Sequence, residues 1–580
     1  MHHEQAAAFA VDAVGRLGGR PAVGLATVGP GAINLLSGIA SCFFDSSPAL
    51  FITGQVQTYL QKGARTVRQF GFQECDVVTM AAPIVKAAWR VRTAAEVPAL
   101  LDRALAVATG GRPGPVLLDL PMDVQGAEIP ATSGTAAGGG AGHLADRGPE
   151  EAGDQGGPGA MGAVWPAAGA VSPAAGTASP AVAAERAAQA DWLRQPEQRA
   201  RVAEMLGVLE RAERPLVLAG GGVRAARALG LFRSFARQLG VPVVTSIMAL
   251  DALPAAEPLR VGMIGMYGNR WANLALLESD AILVLGSRLD PGQTSADVAA
   301  WKRGRQIMQV DCDPAEIGLR VRGARTLQAD LHAFLELAAE LLAGRAAPPP
   351  AGGESRAAWR RRIADLRAAW PDTAELAGCD GINPNVLVRQ LAAASAAAFA
   401  YTVDAGQHTW WAAQSIQLTA EQRFLAATGL GPMGFALPAA IGVAVATGRP
   451  VVVLAGDAAL QINIQELQTI ARHRLPVKIV VFNNRCHGMV RQFQESAFDG
   501  RYPATVAGYS APDFARVAAA YGIAGRSVGA AEEVEAALAW LWREPAAPAL
   551  LEVLLPIGTN VYPIVPFGMP LGEMESFRRR

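Results

Sequence analysis

The sequence predicts an α/β protein built from three doubly wound parallel-sheet units, and three observations carry that expectation. Short apolar runs recur along the chain, alternate with helical patterns and end on small or polar residues, as buried parallel strands do. The apolar fraction is 51%, with Ala, Val, Leu and Gly dominant, which suits sheets buried on both faces. A chain of 580 residues asks for roughly three or four domain-sized units rather than one core.

The first unit, residues 1–125, carries the runs Ala22–Ala26, Ala49–Ile52 and Val116–Leu120 between helical patterns. From Gly126 to Ala188 the chain turns to Gly, Ala, Pro, Ser and Thr with almost no hydrophobic periodicity, so 126–190 is expected to be a disordered insertion that cannot offset its ordering entropy. The second unit, 191–345, opens with a helix over Arg199–Glu210. The strand Pro215–Ala219 then runs into Gly220-Gly221-Gly222, and further strands are expected at Val241–Thr245, Ala281–Leu285 and Gln306–Val310. A Pro-rich break and an arginine-rich helical connector, 346–380, lead to the third unit with its C-terminal tail, 381–580.

Composition excludes several function classes. Lys plus Arg equals Asp plus Glu, 51 each, so no net field favours nucleic acid or an anionic membrane, and a small organic substrate fits better. Phe424–Thr447 and Pro21–Phe44 are apolar, but Gly, Pro and polar residues break both, and no membrane span is expected. Met1-His2-His3-Glu4 lacks the basic and apolar regions of a secretory signal. The five cysteines, Cys42, Cys75, Cys312, Cys379 and Cys486, are scattered without paired spacing, which fits reduced thiols in a cytoplasmic protein.

The most informative stretch is Gly456-Asp457-Ala458, followed by Asn483-Asn484 at the end of the next apolar run. Pro450–Ala455 reads as a buried strand, Ile464–His473 as a helix and Val477–Phe482 as a second strand. Both polar groups therefore reach the carboxyl edge of one sheet, where open α/β sheets bind ligands. A hard cation such as magnesium prefers oxygen. The expected ligands are the side chains of Asp457 and Asn484 and the backbone carbonyl of Cys486, with diphosphate oxygens and water completing the shell; the spacing points to thiamin diphosphate. The plainer alternative is a helix cap at Asp457 and an ordinary turn at the asparagines.

Further segments extend this to a family. HEQAAA at His3, VGPGAINL at Val28, TGQV at Thr53, FQE at Phe72, GRPGPVLLDLP at Gly111, DPAEI at Asp313, GQHTWWAAQ at Gly406, GLGPMGFALPAAIG at Gly429, GMVRQFQ at Gly488 and VYPIVP at Val561 occur in order. On these motifs the chain resembles the large catalytic subunit of acetolactate synthase, a thiamin diphosphate enzyme, from Glu4 to about Met574 outside the insertion. The resemblance implies a pyrimidine-binding first domain, a central domain and a diphosphate-binding third domain. It implies decarboxylation of pyruvate and addition of what remains to a second 2-keto acid.

It also implies roles for single residues. Glu4 matches the carboxylate that exchanges a proton with the aminopyrimidine ring, a task for an acid in a partly desolvated pocket; for a lone Glu, a favoured charge at a helix start is the safer reading. Phe72 and Gln73 match residues that face the reacting carbon. Met433 matches the apolar wedge between the cofactor rings. Gly406, Gln407, His408, Gly456, Ala458, His487, Gly488 and Met489 match the rest of the cofactor site. In the central domain, Gly220, Gly221, Ile264, Gly265, Met266, Gly286, Arg288, Glu316 and Asp330 match a site for flavin adenine dinucleotide (FAD) that takes no net part in the reaction. A homodimer or dimer of dimers follows, with the Glu4 unit of one chain facing the Asp457 unit of another, and a small regulatory subunit is a further partner of the family.

Four departures from the family stand out. The opening strand, glycine-rich loop and helix expected before Glu4 are missing, so the first domain is expected to be truncated at its N-terminus. An expected substrate-clamping arginine is Gly292, an expected lysine is Met122, and an expected tryptophan is Phe493. Arg65 or Arg68 could carry a replacement cation, or both could be solvated loop residues. The alternatives are a related enzyme with another fate for the pyruvate carbons, a decarboxylase or oxidase, and a truncated non-catalytic paralogue.

Overall fold

In the computed structural model, which describes residues 1–129, 180–344, 353–566 and 568–577, the strands form three sheets in which every pairing is parallel. The first sheet contains β1 (Ala22–Ala26), β2 (Ala49–Gln55), β3 (Ala87–Arg90) and β4 (Pro115–Pro121) in the order β1-β2-β4-β3. The second contains β5 (Pro215–Ala219), β6 (Val243–Thr245), β7 (Arg260–Met263), β8 (Ala281–Leu285), β9 (Gln306–Asp311) and β10 (Arg325–Gln328), ordered β10-β9-β8-β5-β6-β7. The third contains β11 (Ala400–Val403), β12 (Arg423–Ala426), β13 (Val451–Gly456), β14 (Val477–Asn483), β15 (Ala524–Val528) and β16 (Ala549–Leu554), ordered β12-β11-β13-β14-β16-β15.

Strand order locates the crevices. In the second sheet the winding reverses between β5 and β8, and in the third between β11 and β13. Loops leaving the carboxyl ends at such a reversal run in opposite directions and leave a gap for a ligand. The first sheet ends in β1, an edge strand whose Val23 and Leu25 are exposed.

Central strands are continuous apolar runs because helices cover both faces: β5, β8, β13 and β14 are buried throughout. The apolar stretch 424–447 is accounted for in the same way. It is most of β12, a loop and the helix Ala436–Thr447, whose residues Ala436 to Ala444 are all buried. No helix among the described residues is long and apolar enough to cross a membrane.

Part of the expected insertion is ordered. A helix spans Pro180–Arg194, where the alanine-rich sequence has strong helix propensity. Leu193 is fully buried in the core of the second unit, and Arg186 lies 3.6 Å from Asp330. Expecting disorder as far as residue 190 is corrected by these contacts; of the remainder of the expected insertion, residues 130–179 lie outside the described residues.

The helix Glu4–Gly18 joins the first and third units. Ala8 and Val11 belong to the core beside the first sheet, while Phe9 and Ala13 belong to the core of the third unit. Contact with the helix Ala436–Thr447 is close enough that a Cβ on Gly442 would sit 2.7 Å from the Ala10 carbonyl oxygen. Gly442→Val is therefore expected to destabilise the fold by about 1–3 kcal/mol, seen as a lower midpoint in thermal unfolding of the whole chain.

Candidate functional site

The reversal between β11 and β13 opens a small cleft of about 80 Å³. Gly406, Gln407, His408, Met433, Gly456, Asp457, Ala458, Asn484, Cys486, His487, Gly488 and Met489, all singled out in the sequence, line it together. Two helices of full length begin at its wall, Gln407–Ser415 and Gly488–Ala497. Their unpaired N–H groups and positive dipole ends favour an anionic group such as a diphosphate.

The strand ends divide the work between the two asparagines. Asn483 accepts from the Arg485 amide (3.1 Å) and donates to Glu552 Oε1 (2.7 Å), so it holds the turn in which Arg485 takes a left-handed φ of 55°. Asn484 instead donates its amide N–H to Gln407 Oε1 (2.9 Å), which leaves its carbonyl oxygen available to another partner. Glycine at 488 leaves room for this pair, because a Cβ there would sit 2.1 Å from Gln407 Oε1 and 2.6 Å from Asn484 Nδ2 and would displace them.

Asp457 carries the clearest sign of a bound cation. Its carboxylate is buried, and Oδ2 has no hydrogen-bond partner. Burial pushes its pKa up to about 6, against backbone N–H groups and the nearby Tyr509 hydroxyl, which pull it down; the hydroxyl lies beside the carboxylate without forming a well-directed hydrogen bond to it. A buried, unpaired carboxylate oxygen is costly unless something positive meets it. No group of three or more His, Cys, Asp or Glu side chains able to hold a metal occurs among the described residues. The donors at hand are carboxylate, amide and backbone carbonyl oxygens, which suit a hard divalent cation. Cys486 is buried on the cleft wall and directs its thiol toward the Ile557 carbonyl (3.9 Å), away from a ligand role for sulfur.

The supports behind these groups carry no sequence signal. Asp404, at the end of β11, is buried and accepts from the amides of Gly434 (2.8 Å) and Ala436 (2.9 Å), fixing the far end of the loop that carries Met433. Asn463 donates to the Gly434 carbonyl (2.8 Å). Trp411 and Phe482 complete the apolar wall.

A second group of expected residues gathers at the carboxyl end of β1. Glu4 accepts from Asn34 Nδ2 (3.1 Å), the main cause of its lowered pKa. A Cβ on Gly31 would meet Glu4 Oε1 at 3.1 Å, and one on Gly29 would meet the Gln73 carbonyl oxygen at 2.7 Å. Glu4 and Gln73 thus flank one glycine turn, with Phe72 exposed beside it at 84%. No residue of the first unit lines the cleft at Asp457 of the same chain.

The second reversal, between β5 and β8, opens a larger cavity of about 620 Å³. Gly221, Ile264, Met266, Gly286, Arg288, Glu316 and Asp330 line it, with Ser246, Met248 and Tyr267. Gly220 and Gly265 do not; they lie behind the wall, where a Cβ would press on the Gly286 carbonyl oxygen at 2.1 Å and the Gly292 carbonyl oxygen at 2.5 Å. Glu316 is held by Arg112 and Arg320, and Asp330 caps the helix Leu331–Ala343.

Three of the departures from the family pattern have distinct surroundings. Gly292 lines the large cavity, Met122 is exposed against Gln57, and Phe493 is exposed beside Phe498. Arg65 stacks on Phe70 (4.3 Å) and bonds to the Gln61 and Lys62 carbonyls, so it behaves as a surface loop residue.

Three parallel sheets, one with a carboxylate–asparagine cleft at its winding reversal, define a thiamin diphosphate enzyme. The chain matches the family models "Thiamine pyrophosphate enzyme, N-terminal TPP binding domain" over residues 1–80, "central domain" over 202–337 and "C-terminal TPP binding domain" over 404–553. It is 34% identical to the acetolactate synthase large subunit of Parasynechococcus marenigrum (strain WH8102) over 99% of its own length and 83% of the relative's. It is 33% identical to the acetolactate synthase isozyme 2 large subunit of Escherichia coli (strain K12), over 99% and 91%. With the Cyanidium caldarium acetolactate synthase large subunit it shares 30% over 100% and 89%. The chain belongs to the acetolactate synthase large-subunit family.

His408 supplies a test of the cleft's dryness. Its ring is buried, Nε2 has no partner, and burial lowers its pKa to about 3 from an ordinary 6.5. The unfolded imidazole takes its proton near pH 6.5 and the native one only near 3. Its contribution to stability is therefore whole above pH 6.5 and is lost as pH falls through that window. Ring NMR signals of His408 are expected to show no titration between pH 5 and 8.

Proposed function

We propose that this chain is a thiamin diphosphate-dependent carboligase of the acetolactate synthase type, acting on pyruvate and a second 2-keto acid. The single observation that carries the reading is the unpaired, buried Asp457 carboxylate facing Asn484 across a cleft where two full-length helices begin. Asp457, Asn484 and the Cys486 carbonyl would hold Mg2+. Gln407, His408, Gly456, Ala458, His487 and Gly488 would surround the diphosphate, and Met433 and Met489 would pack on the rings. When bound, thiamin diphosphate supplies the carbon nucleophile and electron sink that cleavage next to a keto group requires.

The chain's own residues then bind, orient and move a proton. Helix starts and the cation balance the diphosphate charge. The loop carrying Met433, fixed by Asp404, holds an apolar side chain against the cofactor. Glu4 holds and releases the proton on the pyrimidine side, and its bond to Asn34 keeps the carboxylate ionised at rest. Because Glu4 does not line the Asp457 cleft of its own chain, a second copy is read as supplying it, which makes a homodimer the smallest active unit. Phe72 and Gln73, beside Glu4, would face the reacting carbon from that copy. The large cavity at the second reversal has the size and the glycine-lined mouth for a dinucleotide, and FAD is the ligand proposed there.

The test is direct. Purified chain incubated with thiamin diphosphate, Mg2+ and pyruvate is expected to form acetolactate, and acetaldehyde or acetyl phosphate as the sole product would overturn the carboligase reading. Asp457→Ala is expected to abolish Mg2+-dependent retention of thiamin diphosphate in equilibrium dialysis. Glu4→Gln is expected to keep retention and to lower turnover by about a hundredfold or more.

A further inference from the structure

We propose that the buried cluster Asp12–Arg16–Asp45 is a positioning device for the loop that carries Met433, so that these first-unit residues tune cofactor binding in the third unit. The inference rests on the reading of Met433 as a cofactor contact. Arg16 is clamped by Asp12 through two bonds of 2.7 Å and reaches Asp45 at 2.9 Å, with both carboxylates and the guanidinium buried. Ser41 and Ser47 add bonds of 2.8 and 3.0 Å. Such a network can satisfy itself within the first unit, yet two of its bonds leave it. Arg16 Nη1 donates to the Ala426 carbonyl at the end of β12 (2.8 Å), and Asp45 Oδ1 accepts from the Gly429 amide (2.8 Å).

Those two bonds grip the near end of the Met433 loop. The far end is gripped from the third unit by Asp404 and Asn463. Between the grips, Leu430 is exposed and Gly431 takes a left-handed φ of 70°. A short span fixed at both ends has its height set by its anchors, and here one anchor is ionic, buried and foreign to the third sheet. Contact is tight on that side: a Cβ on Gly429 would lie 2.7 Å from Asp45 Oδ1 and 2.8 Å from Phe44 Cβ. Arg16 also lies 5.4 Å from the centre of the Phe435 ring, just past the loop, so its charge packs along the same segment.

Two variants loosen the grip from opposite sides. Asp45→Ala removes the acceptor, while Gly429→Ala leaves the ion cluster intact and pushes the loop away from it. In amide hydrogen exchange on the full chain without cofactor, each is expected to speed exchange over residues 427–434 about tenfold. In dialysis, each is expected to raise the thiamin diphosphate concentration needed for half-saturation by a similar factor. Gly442→Ala, which crowds the helix pair without touching the tether, is expected to leave exchange in that segment at the wild-type rate. Unchanged exchange over 427–434 in both loosening variants would overturn the proposal, as would an increase spread evenly along the chain, which would mark a loss of stability alone. If Asp45→Ala does not fold, Gly429→Ala decides. Failure of the wild-type chain to retain thiamin diphosphate would overturn the functional reading instead, and the exchange result would still decide whether the tether exists.

Discussion

The rest of the structure depends on a helix that is buried on both sides. Glu4–Gly18 contributes to two cores at once, and its alanines and glycines let neighbouring helices approach it closely. Asp12 and Arg16 lie on its buried side, where a lone charge would be costly. Asp12 and Arg16, at i and i+4, therefore neutralise each other within the protein, and the donors left on the guanidinium must find partners as well. They find Asp45, Ser47 and the Ala426 carbonyl. Packing of the first unit against the third, the position of Glu4 at the helix start and the anchorage of the Met433 loop are consequences of this one arrangement.

The two cavities follow from winding rather than from any special loop. Where β11 meets β13 and where β5 meets β8, successive crossovers leave in opposite directions, and the carboxyl ends of the strands open a gap. Glycines line these edges because backbone passes close to backbone. Gly220 packs on the Gly286 carbonyl, and Gly406 and Gly456 make room for the His408 ring. The same rule gives the first sheet its glycine turn after β1, against which Glu4 and Gln73 sit.

Much of this was legible in the sequence, for a physical reason. Strands buried on both faces must be continuous apolar runs, and Pro215–Ala219 and Ala281–Leu285 form strands with those bounds. The Asp457–Asn484 cleft was legible because both residues end such runs. Edge strands are less so: β3 is only half-buried, and β15 is mostly exposed, so neither carries a sustained apolar pattern. The supports of the site were not legible at all. Asp45 and Asp404 are single carboxylates in unremarkable surroundings, and Asp45 meets the amide it holds across 384 positions of chain. The helix Pro180–Arg194 was hidden because most of its apolar side chains are alanine, which gives helix propensity without a hydrophobic period.

Three buried carboxylates show how the fold distinguishes support from chemistry. Asp12 is paired with arginine, and Asp404 is surrounded by backbone N–H groups; each is satisfied by the protein and can only hold structure. Asp457 sits at the end of β13 with one oxygen that makes no hydrogen bond. An arginine placed against it would relieve that cost but would fill an 80 Å³ cleft and leave no coordination site for a substrate or cofactor. A divalent cation relieves the same cost while keeping open positions for diphosphate oxygens. The unpaired oxygen is thus tolerated at the one winding reversal where Asn484, Gln407 and two helix starts are ready to share an anionic ligand.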